Sequence, residues 1–218
     1  MRQSSAILIA CCAFASAAFA QQGFKFSNPS ADEQQQAAEQ LRRQQNVDFL
    51  LSTPCGQRLK NRKIVVLVGE ETNGRITAPQ GQWGRHVEAI NMRLRGLGLK
   101  TYTPEEIRRQ IAQEEVDAIF KNDPDRAISA SKRMGAQYVL KGVIATQATR
   151  NTIVGVNQVN VAMDFSLVDA SGRPMSNTRA SNASYAGADV SGMALKLIEE
   201  RADEAVAQLY SDYCKTAR

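Results

Sequence analysis

The stretch MGAQYVLKGVI, residues 134–144, decides the fold. Gly135 closes a helical pattern, and glycine is the residue that most easily adopts the left-handed conformation at a helix end. The residues from Tyr138 to Ile144 are mostly apolar, which predicts a buried strand. A helix that leads into a buried strand is typical of α/β architecture. Lys141 interrupts the apolar run, and its role has to be explained.

A similar buried strand is predicted upstream by KIVVLVG, residues 63–69, a continuous β-branched run. Residues 85–97 then predict a helix, and LKTYT, residues 99–103, predicts a short strand. Thr103 is a suitable N-cap for the next helix, because Pro104 takes the first helical position and acidic residues follow it. Another helix is expected over residues 125–134. Strands joined by helices in this way should be parallel.

The C-terminal part predicts an antiparallel meander followed by a helix. Residues 159–169 alternate strictly between apolar and polar side chains, as a strand with one wet face does. Gly172 supplies a turn, the polar residues 174–186 return as an edge strand, and Asp189 or Ser191 caps a long final helix. The predicted fold class is therefore α/β (α+β), a mixed sheet of about five strands in the order β-α-β-α-α-β-β-β-α, with helices packed on it.

The first twenty residues have the pattern of a secretory signal peptide. Arg2 precedes an uncharged run, and the small residues Ala18 and Ala20 form a cleavage pattern, so we expect cleavage after Ala20 and export to the periplasm. An alternative is a lipobox at residues 8–11, in which Cys11 would be lipidated and anchor the chain to the outer membrane. The apolar region before Cys11 is too short for a normal signal core, which favours the first prediction.

Three segments follow from this pattern: a signal peptide over residues 1–20, a glutamine-rich flexible tail over 21–46, and a single domain over 47–218. Eight glutamines and few large apolar residues occur in the tail. Residues 1–20 hold one basic and no acidic side chain, so the remaining 198 residues carry 26 basic against 22 acidic ones. This mildly basic balance is ordinary for a soluble surface.

Two cysteines remain after cleavage at Ala20, namely Cys55 and Cys214. In an oxidising compartment, a lone pair of cysteines is expected to form a disulfide. Cys55 precedes the first strand and Cys214 lies near the end of the last helix. The predicted bond would therefore tie the two ends of the domain together.

The loop after the first strand is the candidate for partner binding. It is long and glycine-rich, and loops beyond the ends of buried strands are where α/β folds bind other molecules. A phosphate loop is not indicated, since no Gly-Lys-Ser/Thr follows. Tryptophan and arginine are favoured interface anchors. We therefore predict a partner-binding site formed by four residues: Glu70, Arg75, Trp83 and Arg85.

No catalytic apparatus, metal site or cofactor is predicted. His86 is the only histidine, so a nucleophilic triad or a zinc site of the usual types lacks partners. The acidic pairs at 105–106 and 114–115 and the basic pairs at 108–109 and 132–133 are interpreted as solvated helix surfaces. Export argues against a nucleic-acid partner.

Four stretches together resemble a known periplasmic family: KIVVLVGEETNG (63–74), LRGLGLKTYTPEEIRRQIAQEE (94–115), DPDRAISASKRMGAQYVLKGVI (123–144) and VAMDFSLVDASGRPM (161–175). They are similar to the fold shared by LpoB-type penicillin-binding-protein activators, CsgG-type curli secretion proteins and the middle domain of the flagellar protein FlgT. The shared pattern is A-x-x-x-G-A-x-Y-V-L-x-G-x-I followed by a hairpin reading L-V-D-x-x-T-G-x-V.

The resemblance implies a noncatalytic binding, assembly or regulatory factor of the Gram-negative envelope, associated with the outer membrane or cell wall through protein partners. It places Lys141 at a variable position, so its side chain is expected to extend past a covering helix toward water. Two alternatives remain: a lipid-anchored, possibly oligomeric secretion or assembly component of the outer membrane, and an envelope protein or enzyme that binds a small ligand.

Overall fold

The computed structural model describes residues 30–81, 84–153, 155–186 and 189–216. The predicted signal peptide and cleavage site, together with Cys11 and Trp83, lie outside these ranges. The chain divides into two units, residues 1–37 and residues 38–218. In the first unit, residues 31–37 are helical. The second unit contains every described strand and the predicted core.

The secondary-structure elements follow one another along the chain in a fixed order. Their bounds are α1 Ala31–Leu51, α2 Gly56–Leu59, β1 Lys63–Thr72, β2 Arg75–Thr77, α3 Gly84–Gly96, β3 Lys100–Thr101, α4 Pro104–Gln110, α5 Gln113–Phe120, α6 Pro124–Met134, β4 Tyr138–Asn151, β5 Val156–Asp169, β6 Pro174–Ala186 and α7 Val190–Thr216.

Helix α1 begins inside the segment that was expected to be a flexible tail. Its sequence is rich in Ala, Gln, Glu and Arg, which are good helix formers. Most of its side chains from residue 38 to residue 46 are exposed. Near its C-terminal end, Val47 and Leu50 are buried against Ala207 of α7. These contacts, rather than the polar segment itself, explain why the helix continues to Leu51.

The mixed sheet predicted from the sequence is confirmed. Its strands lie in the order β2-β1-β4-β5-β6, and β3 pairs with β1. Strand β1 is parallel to β3 and β4, whereas the pairs β4–β5 and β5–β6 are antiparallel. The polar strand β6 lies at one edge, as its composition indicated. Strands β3 and β4, which are each connected to the preceding strand through helices, are therefore parallel to β1, and the last three strands form a meander.

The sixth strand, β2, was not predicted. The residues after Gly69 were interpreted as a long loop, but β1 continues to Thr72 and turns back through Asn73 and Gly74. Both turn residues have positive φ, 53° and 75°. That conformation matches a two-residue type I′ turn, for which Asn-Gly is the preferred sequence. The signal was present, but it was overlooked because the apolar run ends earlier.

Helix signals were mostly correct, with one exception. Thr103 is the N-cap of α4, as predicted, and forms a capping box with Glu106, while Gly135 ends α6 in the left-handed conformation at φ 60°. The single helix expected after Thr103 is instead divided into two, α4 and α5. Ile111 adopts an extended conformation between them, and its side chain is only 1% exposed. Burial of this isoleucine in the core accompanies the break.

Helices cover the two faces of the sheet unequally. On one face, alternate residues of β1 and β4 and the apolar residues of β5 pack against α3 and α7. On the other face, Val65 and Leu67 of β1 and Val139 of β4 pack against α4, α5 and α6. Strands β1 and β4 are thus buried on both faces, whereas the second face of β5 carries half-buried polar residues. Both patterns agree with the sequence periodicities.

A disulfide joins Cys55 and Cys214, whose Cα atoms are 5.5 Å apart. Cys55 lies at the N-cap of α2 and Cys214 in the last turns of α7. The hydroxyl of Tyr210 supports the same junction. It donates to the carbonyl of Thr53 at 2.6 Å and accepts from the amide of Cys55 at 3.2 Å. The segment before β1 is therefore held to the last helix by a covalent bond and two hydrogen bonds.

Candidate functional site

The hairpin formed by β1 and β2 extends beyond the covered part of the sheet. Strand β1 is buried up to Gly69, whereas Glu71, Thr72 and all of β2 are exposed. At Gly69 the chain passes close to its neighbours. An added Cβ atom there would lie 3.0 Å from a ring carbon of Phe120 and 3.1 Å from the carbonyl oxygen of Thr77. This close approach sets the base of the hairpin against α5.

Strand β2 has a free outer edge whose backbone groups can be assigned from the register. Thr72 pairs with Arg75, Glu71 with Ile76 and Glu70 with Thr77. In a two-residue hairpin, the pair that flanks the turn exchanges both backbone hydrogen bonds, and successive pairs alternate. The pair containing Ile76 is therefore not hydrogen-bonded. Its N–H and C=O groups point away from β1, toward the open edge.

A groove of about 890 Å³ runs beside this edge, between β2 and α5. Phe120 and Ala78 are buried at its base, and the side chain of Ile76 is 38% exposed. Three charged residues, Arg75, Asp117 and Lys121, also line it, and so does the neutral polar residue Gln113. The groove therefore combines an apolar base, a polar margin and an unpaired strand edge.

Side-chain hydrogen bonds from the α4–α5 region fix one wall of the groove. The amide nitrogen of the Gln113 side chain donates to the carbonyl of Ala78 at 2.9 Å, and its oxygen accepts from the backbone of Gln80 at 3.1 Å. The side chain of Gln80 donates in turn to the carbonyl of Ile111 at 3.0 Å. These bonds hold residues 78–80 in place, so the groove is largely formed before any partner arrives.

The residues expected to bind a partner are not gathered at one point. Arg75 lines the groove. Glu70 is half-buried and lies on the sheet face that packs against α3 and α7, because its side chain points to the same face as those of Val66 and Val68, two and four residues before it. Arg85 is exposed in the first turn of α3, and Trp83 lies outside the described residues. Their roles stay predictions.

The sequence interpretation missed the contribution of α5. Three of its residues, Gln113, Asp117 and Phe120, line the groove and recur at a spacing of three or four, which places them on one helix face. Only the neighbouring acidic pair at 114–115 was interpreted, as a solvated surface, and no role was predicted for these three residues. The spacing alone gives no indication that β2 would run beside this face, because that depends on the unpredicted hairpin.

His86 lies in the first turn of α3 and is half-buried. Burial and the charge of Arg85 lower the pKa of its imidazole below the ordinary value, and Glu199 raises it by a smaller amount. The ring is therefore neutral at pH 7. Across the described ranges, no three His, Cys, Asp or Glu side chains come together in a way that could bind a metal ion. No helix in the same ranges is both long and apolar enough to span a membrane.

Lys141 is half-buried on the sheet face that packs against α4, α5 and α6. Its Nζ atom donates a hydrogen bond to the Oδ1 atom of Asn122, in the connection between α5 and α6. Burial lowers the pKa of this lysine. The side chain was expected to extend past a covering helix toward water, and its amine is found on a specific polar partner, Asn122.

No protein-family model matches this chain, and the search for characterised relatives found no match. Several solved structures are similar to it. A PelC dodecamer from Paraburkholderia phytofirmans is 17% identical, with 68% of this chain and 88% of that chain covered and a TM-score of 0.40. Lipoprotein GNA1162 from Neisseria meningitidis is 16% identical, with coverage of 66% and 98% and a TM-score of 0.46. The LpoB C-terminal domain from Salmonella enterica is 16% identical, with coverage of 64% and 93% and a TM-score of 0.41. Similarity at this level carries no information on activity or partners.

Proposed function

We propose that this chain is a noncatalytic, exported protein-binding or assembly factor of the Gram-negative cell envelope. We further propose that it binds an extended segment of a protein partner along the free edge of β2. The observation that carries the proposal is the outward-facing backbone of Ile76 beside a preformed groove. An extended peptide that adds to a sheet edge gains main-chain hydrogen bonds, and pockets beside the edge select its side chains.

The groove indicates the chemistry of such a segment. Phe120 and Ala78 at its base suit one small or medium apolar side chain. Asp117 accepts a hydrogen bond from Gln113 at 2.7 Å, whereas Arg75 and Lys121 add two positive charges at the margin. The segment is therefore expected to alternate an apolar residue with a neutral or acidic one.

Two further observations support an envelope protein. Cys55 and Cys214 form a disulfide, and structural disulfides persist in oxidising compartments such as the periplasm. The sequence also resembles periplasmic proteins that act by contacting other proteins, in the four stretches described above. Both fit export after cleavage at Ala20. In the alternative, the chain is lipidated at Cys11 and anchored to the outer membrane, and the partner is proposed to bind in the same groove.

Site-directed photocrosslinking in cells tests the docking site. A photoreactive residue at position 75 should give a discrete adduct with one protein, and the same residue at position 181 on the exposed side of β6 should not. The change Ile76→Pro removes the outward N–H group without removing a bond to β1, because proline is tolerated at a strand edge. Ile76→Val keeps the N–H group and serves as the matched control.

The purified partner should bind the Ile76→Val variant as it binds the unchanged protein. For Ile76→Pro, loss of one interfacial hydrogen bond should weaken binding by roughly tenfold. Equal binding by the two variants would contradict docking at β2. The same adduct at positions 75 and 181 would contradict it as well. If no position on the surface yields a protein adduct, the protein-binding function itself is rejected.

The intact mass of the mature chain decides between the two forms of export. A chain that begins at Gln21 supports cleavage after Ala20 and a periplasmic protein. A chain that begins at Cys11 with added acyl groups supports the lipid-anchored alternative.

A further inference from the structure

A second concave site lies on the opposite side of α5 from the groove residues, between β4, β5 and the α5–α6 connection. Its cavity measures about 180 Å³. Apolar side chains of Ile119, Ala127, Val139 and Val168 form much of its lining. Cavities of roughly 150 Å³ accommodate a molecule the size of benzene. This one is therefore large enough for a small organic group.

The polar side of the cavity is built around Lys141. The amine of this lysine donates one hydrogen bond, to the neutral amide oxygen of Asn122. An ammonium group has three N–H donors. Throughout the described residues, no carboxylate forms an ion pair with Lys141, and burial is the cause of its lowered pKa. This half-buried cation has no ion-pair partner among the described residues, and a bound anion would supply one.

Two neighbouring groups complete the polar side. Ser166 lies directly opposite Lys141 in the β4–β5 register, so their Cβ atoms are on one face and close together. Its hydroxyl can donate to a ligand bound by the lysine. Asp123 also lines the cavity, but its Oδ1 atom accepts the backbone N–H groups of Asp125 and Arg126 at 3.1 and 3.2 Å. Its negative charge repels anions in proportion to their charge, so a ligand with two negative charges is disfavoured more than a ligand with one.

We propose that this cavity binds a small aliphatic monocarboxylate, with the carboxylate between Lys141 and Ser166 and the hydrocarbon body against the apolar lining. A carboxylate provides the missing single negative charge and accepts hydrogen bonds from both side chains. The aliphatic body removes apolar surface from water. Phosphate fits less well, because it offers no apolar surface and carries more charge beside Asp123.

The carboxylate can come from a free short-chain acid or from the end of a peptide chain. Isovalerate represents the first source and N-acetylvaline the second. Isovaleramide has almost the same shape as isovalerate but no charge, and it is the matched ligand control. Binding of each compound is measured by titration of the ¹⁵N-labelled mature protein, followed through the amide signals of Lys141, Ser166 and Asn122.

At least one of the two carboxylates should shift these three signals in a saturable way and bind about tenfold more tightly than isovaleramide. Lys141→Met should weaken that binding by about tenfold or more. Lys196→Met, at an exposed position of α7, should leave it unchanged. The tighter of the two acids identifies the source of the ligand.

Three results would overturn the proposal: equal binding of acid and amide, binding unaffected by Lys141→Met, or no saturable shift with either acid. Weaker binding by Lys141→Met can be distinguished from loss of folding. Methionine preserves the volume of the lysine stem, and the amide spectrum of the variant shows whether it is folded. The docking experiment at β2 uses different residues, so either proposal can fail while the other stands.

Discussion

Removing the disulfide between Cys55 and Cys214 should destabilise the protein mainly through its unfolded state. The bond closes a loop with a sequence separation of 159 residues. In the folded protein, the same junction is also held by the hydroxyl of Tyr210, which contacts the backbone of Thr53 and Cys55. The double variant Cys55→Ala/Cys214→Ala should therefore fold to the same structure. Its unfolded chain gains the conformational freedom that the bond had removed.

The size of the loss follows from the loop length. The chain-entropy relation gives about 5 kcal/mol at 25 °C for a loop of this size as an upper value, and measured losses are usually between roughly 2 and 5 kcal/mol. Both cysteines are buried, at 5% and 7% exposure, so removing their sulfur atoms adds a smaller packing loss. We expect a total decrease in the free energy of unfolding of about 3–5 kcal/mol. That is a large share of the stability of an ordinary domain.

Urea unfolding followed by circular dichroism measures this loss. The slope of the free energy against urea should also rise, because an uncrosslinked chain exposes more surface when it unfolds. Tyr210→Phe in the disulfide-bonded protein is the matched control. It removes the two hydrogen bonds and should cost about 1–2 kcal/mol without a change in slope. A loss below about 1 kcal/mol with an unchanged slope for the double variant would refute the reasoning.

Three further predictions concern the sheet, a helix cap and Lys141. Gly142→Ala should cost about 1–3 kcal/mol in urea unfolding, because the new Cβ atom would lie 2.7 Å from a ring carbon of Phe165. Gly96→Ala, where a Cβ atom meets nothing within 4 Å, should be neutral or stabilising, and the opposite order would contradict the packing argument. Thr103→Ala should cost about 1 kcal/mol through loss of the α4 cap, and no measurable loss would show that α4 does not depend on it. Lys141→Met should stabilise the protein at neutral pH, since burial lowers the pKa of the lysine from its ordinary 10.5 and so disfavours its charged form. This advantage should shrink as the pH rises from the lowered pKa toward 10.5, and a difference that does not change with pH would show that the charge of the lysine is not its cause.

The elements that the sequence predicted well are those whose periodicity depends on burial alone. Strand β1 has an unbroken apolar run and β4 has a largely apolar one, interrupted at Lys141, because both of their faces are covered by helices, and β5 alternates because one face is partly open. The helix caps could also be predicted from the sequence, since Thr103 and Gly135 act on backbone groups only a few residues away. Local chemistry of this kind needs no knowledge of the rest of the fold.

The elements that were missed depend on residues distant in the chain. Strand β2 is three residues long and lies at the exposed edge of the sheet, so it has no apolar pattern, and only the Asn-Gly turn reveals it. The break at Ile111 arises where this side chain becomes buried under the sheet, although the surrounding residues are good helix formers. Propensity and periodicity predict a continuous helix there, and tertiary packing overrides them.

The same distinction explains why the sequence indicated the groove only through Arg75, in the region predicted to bind a partner, and gave no indication of the cavity around Lys141. Helix α5 contributes to both: Phe120 and Asp117 face the groove beside β2, whereas Ile119 lines the cavity around Lys141. Each site also needs a second structural element that only the topology supplies. For the groove this element is the unpredicted β1–β2 hairpin. For the cavity it is strand β5, whose register places Ser166 opposite Lys141. A lysine within a buried strand is visible in the sequence, but its neighbours are chosen by strand register and helix placement. The charge therefore marks where a site can form, and the fold determines what it can bind.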